Sequence, residues 1–313
     1  EIPSIKYCSF VFPIASNTIF IFCIFGNIKN FACMIEKGLH NFIKNALIED
    51  VGDGDHSSLG SIPKDATSKA HLLVKDKGII AGIELAKMIF KEVDSTLKIT
   101  PKLQDGDKVN FGDVAFIVEG NSISILTAER LVLNCMQNMS AIATKTNYLN
   151  SLIAHTKCKL LDTRKTTPLN RTIEKWAVKI GGGFNHRFGL YDMIMIKDNH
   201  IDFAGGIPQA ISKIKQYLKN NNKKLEIIVE ARNLDEVHQI LQQGGVKRIL
   251  LDNFDCETTK KAVAIIGGKC QSESSGGITE ENIAEYAKCG VDFISVGALT
   301  HSVLNFDLSL KAI

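Results

Sequence analysis

Basic side chains are concentrated in one short stretch of the chain, KLLDTRKTTPLNR at residues 159–171. Its apolar start leads directly into Asp162, and Arg164, Lys165 and Arg171 follow within ten residues. A guanidinium group presents a planar fork of donors that matches a carboxylate or a phosphate. The stretch therefore predicts an anion-binding site at the end of a strand.

Other polar residues also stand directly after short apolar runs. Lys197 follows MIMI, Glu230 follows IIV and Asp252 follows ILL. In an α/β barrel the loops after the strands form the mouth, so such residues converge there. The candidate residues at strand ends are Arg164, Lys165, Lys197, Glu230, Asp252, Ser275, Gly276, Gly277 and Gly297.

These candidates fall into two chemical groups. Glu230 and Asp252 offer hard oxygen atoms, which suit ribose hydroxyls or a Mg²⁺ ion shared with a phosphate. The SSGGIT turn precedes a predicted helix, whose backbone N–H groups can bind a phosphate, and VGALTH is a second turn of small residues. The candidate cations are Arg130, Arg164, Lys165, His186, Arg187 and Lys197. The pattern predicts a site for a sugar phosphate beside a multiply charged acid.

The elements that must position these residues follow from the hydrophobic pattern. From residue 157 onward, short apolar runs (CKLLD, MIMIKD, LEIIVEA, RILLDN, KCQSES and DFISVGA) alternate with helical patterns, which favours a parallel α/β barrel. Residues 34–126 indicate a mixed α/β unit, with a helix at 35–48 and β-alternation through 97–126. A long helix is predicted from Thr127 to about Ala154.

Composition limits the class of protein. The chain has 313 residues, a net charge of +3 and eight scattered cysteines. So small a charge does not favour nucleic acid or a membrane surface as a partner, and the cysteines indicate a reducing, cytoplasmic compartment. Residues 8–28 carry no charge, but Pro13 interrupts them. We interpret residues 1–33 as an extension outside the fold, with a membrane anchor as the alternative.

Six motifs together give the chain a specific resemblance to a known family. DTRKTTP, GGGFNHRFGLYDMIMIKDNHI, ERLVLNCMQNMSAIAT, LLDN, SSGGIT and SVGALTHS, with the earlier EDVGDGD, resemble the quinolinate phosphoribosyltransferase family over residues 35–313. The resemblance implies an α/β sandwich at 34–140, to which 303–313 return, and an incomplete TIM-like α/β barrel at 141–302. It also implies a homodimer or hexamer, in which Arg130 reaches the partner's site.

The resemblance also implies an activity and roles for the residues. Quinolinate and phosphoribosyl pyrophosphate would give nicotinate mononucleotide, pyrophosphate and CO₂, with Mg²⁺ as cofactor. The expected catalytic residues are Lys165, Lys197, Glu230 and Asp252, of which Glu230 and Asp252 would also hold the metal. The expected substrate-binding residues are Arg130, Thr163, Arg164, Lys165, His186, Arg187, Lys197, Glu230, Asp252, Ser275, Gly276, Gly277, Gly297, Ala298, Leu299 and His301.

Three departures from the family pattern and three alternatives remain. Ala141, Asn170 and Arg232 stand where the family usually has Gly, an apolar or Gly residue, and a second acid. Arg232 leaves the charge balance on the metal side open. The alternatives are a phosphoribosyltransferase for another heteroaromatic acid without decarboxylation, an aldolase-like barrel with a Schiff-base lysine at Lys165 or Lys197, and a binding or scaffolding barrel without activity.

Overall fold

The computed structural model describes residues 28–313, with side chains from residue 38 onward. The helices are α1 (Ile28–Val51), α2 (His56–Ser61), α3 (Ile83–Val93), α4 (Ser122–Ile153), α5 (Arg171–Ile180), α6 (Asp198–Ala204), α7 (Ile207–Asn220), α8 (Leu234–Gln243), α9 (Cys256–Ile266), α10 (Ile283–Lys288) and α11 (Ala298–His301). The strands are β1 (Thr67–Val74), β2 (Gly78–Ile79), β3 (Lys98–Pro101), β4 (Lys108–Val109), β5 (Val114–Asn121), β6 (Lys159–Leu161), β7 (Ile194–Ile196), β8 (Ile227–Ala231), β9 (Arg248–Asp252), β10 (Gln271–Ser275), β11 (Phe293–Ser295) and β12 (Leu308–Ala312).

The first half of the chain forms an antiparallel sheet covered by helices. Its strand order is β12-β1-β5-β3, and the C-terminal strand β12 lies beside β1. Along β1, Ala70, Leu72 and Val74 are buried while their neighbours are more exposed, as expected for a sheet with one face on the core. That face meets α3, whose Phe90 packs edge-to-face on Phe116 of β5.

The second half forms a parallel sheet of six strands in the order β6-β11-β10-β9-β8-β7. Phe184 adds a single parallel bridge beside Leu161 of β6. With that bridge, the strands follow one another around the barrel in chain order, and in the described part of the chain the hydrogen-bonded wall is open between Phe184 and β7. The predicted sandwich and incomplete TIM-like barrel are confirmed.

The helix α4 joins the two halves. It packs against α3 and β5 on one side and against α5 and β6 on the other. It begins at Ser122, so the predicted continuation of β-alternation to residue 126 is wrong. The side chain of Asn121 accepts a hydrogen bond from the backbone N–H of Ser124 (3.0 Å) and caps the helix there, so local capping ends the strand.

The first helix, α1, begins at Ile28 and includes the predicted helix at 35–48. The extension expected at 1–33 therefore overlaps α1 at residues 28–33, and its remainder lies outside the described residues. The alternative, a membrane anchor at 8–28, also lies outside them except for residue 28. Across residues 28–313, no helix combines the length and the apolar character needed to span a bilayer.

Candidate active site

The period of two along a strand decides which side chains enter the barrel. Met193, Met195, Ile228 and Leu250 form a small apolar cluster separate from the main core, which marks the inward face of β7, β8 and β9. Two residues further along each strand, on the same face, stand Lys197, Glu230 and Asp252. On β10, Ser275 stands two residues after Glu273, and it pairs with Asp252 of β9. The sequence thus brings all four to the mouth.

The loop after β6 carries Arg164 and Lys165 on the basic side of the mouth. Both are exposed, and the loop is fixed by its own polar contacts. The backbone N–H of Lys165 donates to Thr163 Oγ1 (3.0 Å), while Arg171 donates to Thr166 Oγ1 (3.0 Å). Arg171, one of the basic residues of the opening stretch, therefore supports the loop.

A second arginine, Arg187, lies close to the first. It is buried, with 6% of its surface exposed, and its Nη1 donates to the carbonyl of Met193 (3.2 Å). Burial lowers the pKa of the Arg187 guanidinium, the nearby Arg164 lowers it further, and Asp192 opposes both. Two repelling guanidinium groups, one of them buried, form a site that an anion would stabilise.

The adjacent His186 is buried beneath this pair. Its Nδ1 accepts a hydrogen bond from the backbone N–H of Arg187 (2.6 Å), and its Nε2 lies 3.4 Å from Glu273 Oε2. Burial raises the pKa of the Glu273 carboxyl, but His186 and Arg248 more than compensate and lower it to about 2. The Nδ1 atom thus fixes the backbone at Arg187, whereas the buried Nε2 makes no hydrogen bond within the described residues. A contact between His186 and a substrate stays a prediction.

The acidic side of the mouth is formed by Glu230 of β8 and Asp252 of β9, and Lys197 at the end of β7 lies next to them. Lys197 Nζ lies 3.8 Å from Glu230 Oε2. Burial raises the pKa of the Glu230 carboxyl, Lys197 lowers it, and Asp252 raises it. Two carboxylates close enough to repel each other are thus set beside one lysine. In the described part of the chain no group of three or more His, Cys, Asp or Glu side chains could hold a metal.

The turn after β10 is built for close approach. A Cβ on Gly276 would lie 2.1 Å from Asn253 Oδ1, and the φ of Gly276 is +90°, so only glycine fits. Asn253 in turn donates from Nδ2 to Asp252 (2.7 Å) and from its backbone to the carbonyl of Ser275 (2.9 Å). The loops after β9 and β10 therefore form one unit.

The loop after β11 packs against the loop of Lys165. A Cβ on Gly297 would lie 2.9 Å from Lys165 Cδ and 3.0 Å from His301 Nε2. Thr300, which the sequence analysis missed, donates from Oγ1 to the carbonyl of Lys165 (2.8 Å). Leu299 is fully buried in the core, so only its backbone can face a ligand, whereas Ala298 is partly exposed.

One predicted site residue stands apart from the mouth of its own subunit. Arg130 is exposed on α4, and among the described residues no hydrogen bond or ion pair joins it to any of the others. Every other predicted site residue lies at a strand end of the barrel, in the loop that follows it or in the short helix α11.

Two of the three residues that depart from the family pattern, Arg232 and Asn170, have side-chain partners in the structure. Arg232 is paired with other acids, since its Nη1 donates to Asp202 (3.1 Å) and its Nε donates to Glu236 (2.9 Å), and its charge also lowers the pKa of Glu230. Asn170 donates from Nδ2 to the buried Glu174 (3.3 Å), next to the start of α5. Ala141 is buried in the core along α4.

Several supporting residues gave no signal in the sequence analysis. Asp192 accepts the backbone N–H groups of Phe188 (2.6 Å) and Gly189 (2.9 Å), which shapes the loop between Arg187 and β7. Lys175 is buried within a helix whose pattern is ordinary and amphipathic. A charged residue in such a pattern gives no sign of its partner, because that partner is distant in sequence.

The fold and the site define an α/β-barrel protein whose mouth has a basic side and an acidic side. Two family models match the chain: the N-terminal domain of quinolinate phosphoribosyl transferase over residues 55–140, and its C-terminal domain over residues 142–311. The chain belongs to the quinolinate phosphoribosyltransferase family.

Individual relatives agree with that assignment. The chain is 46% identical over 288 residues to quinolinate phosphoribosyltransferase [decarboxylating] 1b of Nicotiana tabacum, covering 87% of this chain and 82% of the relative. It is 37% identical to a probable nicotinate-nucleotide pyrophosphorylase [carboxylating] of Bacillus subtilis, covering 87% and 92%. The nicotinate-nucleotide pyrophosphorylase structure from Francisella tularensis is similar at a TM-score of 0.82 and 40% identity, covering 88% of this chain and 96% of that one.

Proposed function

We propose that this chain transfers phosphoribose from phosphoribosyl pyrophosphate to quinolinate and decarboxylates the product to nicotinate mononucleotide. One observation supports the proposal above the rest: Arg164 and the buried Arg187 lie together at the mouth, on the opposite side from Glu230 and Asp252. A diacid fits the arginine pair, and a pentose with its phosphates fits the acidic side and the glycine turns.

The reaction needs no protein nucleophile. The pyridine nitrogen attacks the anomeric carbon as pyrophosphate leaves, through a transition state with positive charge on the sugar. The protein holds the two reactants in contact, and Glu230 and Asp252 face the developing positive charge. Lys165 and Lys197, together with Arg164, His186 and Arg187, hold the two carboxylates of quinolinate. The nucleotide then loses the carboxylate next to its cationic nitrogen, which stabilises the carbanion.

A magnesium ion fits this arrangement if the substrate completes its coordination. Mg²⁺ is usually held by one or two carboxylates together with phosphate oxygens and water. Glu230 and Asp252 supply two carboxylates, and burial, followed by the neighbouring charge of Asp252, raises the pKa of Glu230, so a cation beside it would stabilise its charged form. Bound there, the ion would neutralise charge on the pyrophosphate.

The subunits are proposed to share their sites in a homodimer or hexamer. Arg130 is exposed and unpaired on α4 within the described residues, while the mouth holds a pair of arginines suited to one diacid. Donation of Arg130 across an interface would add a third guanidinium to that side.

The compartment is proposed to be reducing, and the cytoplasm meets that requirement. The cysteines of the described part of the chain (Cys135, Cys158, Cys256, Cys270 and Cys289) are free thiols. Two of the related plant proteins are named as mitochondrial or chloroplastic. Microscopy of the full-length chain with a C-terminal fluorescent tag separates these locations, and an organellar signal would contradict the cytoplasmic proposal.

The activity test combines the protein, phosphoribosyl pyrophosphate, Mg²⁺ and quinolinate labelled in the carboxylate beside the nitrogen. We expect labelled CO₂ and nicotinate mononucleotide in equal amounts. Nicotinate in place of quinolinate is the control, because it has one carboxylate for the two arginines. A product formed with nicotinate but not with quinolinate would favour a phosphoribosyltransferase without decarboxylation.

A further inference from the structure

The strand ladder of the barrel is weakest where the arginine pair is attached. Phe184 is joined to β6 by one isolated bridge, in which its N–H donates to the carbonyl of Leu160 (2.8 Å) and its carbonyl accepts the N–H of Asp162 (3.1 Å). The residues after Phe184 lead to Arg187, and the residues after Asp162 lead to Arg164. Main-chain pairing alone therefore gives little control over the spacing of the two guanidinium groups.

The side chain of Asp162 continues the connection where the ladder stops. Its Oδ1 accepts the backbone N–H of His186 (2.8 Å), and its Oδ2 accepts Nδ2 of Asn185 (2.6 Å). Lys175 of α5 completes the group, since its Nζ donates to Asp162 Oδ1 (2.5 Å) and to the carbonyl of His186 (3.1 Å). The carboxylate thus acts as an extra rung between the two strand ends.

This rung consists of charges withdrawn from water. The side chains of Asp162 and Lys175 are 0% and 3% exposed. Burial raises the pKa of the Asp162 carboxyl and lowers the pKa of the Lys175 amine, and each partner opposes the other's shift. A buried ion pair is a weak source of stability compared with apolar residues of the same volume, so its value here lies in fixing geometry.

We propose that Asp162 and Lys175 form a positioning pair for the diacid: they join the strand ends that carry Arg164 and Arg187 and so set the spacing of the two guanidinium groups. The inference rests on the proposed function and deepens it, because it assigns quinolinate recognition to residues that do not touch the substrate. Glu230 and Asp252, which are proposed to face the pentose, lie at the ends of β8 and β9, and neither of these strands pairs with β6.

The test uses the full-length protein with the double substitution Asp162→Asn and Lys175→Met, which removes both charges and leaves no buried ion unpaired. We expect the KM for quinolinate to rise by about 10- to 100-fold, as for other partners that orient a binding group. The KM for phosphoribosyl pyrophosphate should stay within about twofold of the wild type. If the pair were purely structural, the substitution would change the two KM values by the same factor or would change neither of them.

A milder variant and a matched control keep the test decisive if the double variant does not fold. Asn185→Ala removes one hydrogen bond to Asp162 without leaving a charge, and we expect a smaller rise in the KM for quinolinate alone. Asp105→Asn is the control, since Asp105 also accepts a backbone N–H, from Ile83 (2.8 Å), but lies in the sandwich. It should lower Tm without separating the two constants.

The outcomes separate this inference from the activity on which it rests. If the wild type makes no nicotinate mononucleotide, the proposed function fails. If the wild type is active and Asn185→Ala or the double variant leaves the KM for quinolinate unchanged, or moves both constants equally, the positioning role is overturned.

Discussion

Lys197 and Glu230 face each other across adjacent strand ends, with Nζ 3.8 Å from Oε2. The lysine side chain is 47% exposed and the glutamate 9%, so an exposed cation pairs with a carboxylate that is largely buried. The pair keeps the buried charge of Glu230 partly neutralised when no ligand is bound. It also places an ammonium group at the mouth of the barrel.

Replacing Glu230 should raise stability while lowering activity. The folded-state pKa of this carboxyl lies above its ordinary value of 4.5, because burial disfavours the charged form. The folded protein therefore holds its proton more tightly than the unfolded chain, and stability falls as pH rises through that window. We expect Glu230→Gln to raise Tm near neutral pH and to remove this part of the pH dependence, as scanning calorimetry between pH 4 and 8 would show. A Tm that falls in the variant at every pH would contradict it.

Lys165→Ala should reduce turnover without affecting folding. The side chain is exposed, and its loop is held by contacts to its backbone, from Thr163 and Thr300. Loss of a positioned charge can cost about 100-fold in rate, whereas an exposed substitution changes stability by about 0.5 kcal/mol or less. Steady-state kinetics and thermal melts measure both. Lys269→Ala, an exposed lysine between α9 and β10, serves as the control and should change neither.

Magnesium should bind tightly only together with the pyrophosphorylated substrate. Glu230 and Asp252 supply two carboxylates, fewer ligands than the octahedral ion requires. Calorimetric titration should show weak binding to the protein alone and strong binding once phosphoribosyl pyrophosphate is present. Asp252→Asn should abolish that difference. Equal affinity for the ion with and without the substrate would remove the two acids from the metal site.

Gly276→Ala should disturb the turn more than Gly277→Ala does. Both positions have positive φ, +90° and +61°, so both substitutions carry a backbone strain of about 1–3 kcal/mol. Only at Gly276 would the new Cβ meet another atom, Asn253 Oδ1 at 2.1 Å, whereas nothing lies within 4 Å at Gly277. Denaturant unfolding should therefore show the larger loss at 276, together with a higher KM for the sugar phosphate. Equal losses would mean that the contact with Asn253 is unimportant.

Mixing two inactive variants should restore activity if the subunits share a site. Arg130→Ala removes the exposed arginine of α4, and Lys197→Ala removes the lysine at the mouth. Hybrids then contain one mouth with both residues intact, so activity should return to about a quarter of the wild-type value in a randomly exchanged dimer. Each variant incubated with itself is the control. No recovery after verified subunit exchange would show that Arg130 does not act across the interface.

Much of the mouth was predictable because the parallel sheet imposes a simple rule. Lys197, Glu230 and Asp252 each follow an apolar run at the same parity, and the C-terminal ends of parallel strands must meet at one end of a barrel. The start of α4 was not predictable in the same way. Its first residues alternate like a strand, but the side chain of Asn121 caps the helix there.

The amino-acid order by itself determined the alternation of strands and helices, the residues at the strand ends and the family to which their motifs correspond. Only the tertiary structure decided which of those residues are free to meet a ligand. Packing placed His186 beside Glu273 and paired Asp162 with Lys175 in the interior, and it brought Arg171 to the loop and Arg232 to Asp202 at the surface. The reason is physical: periodicity is a property of neighbours along the chain, whereas the partner of a buried charge is selected by packing between segments that are distant in sequence.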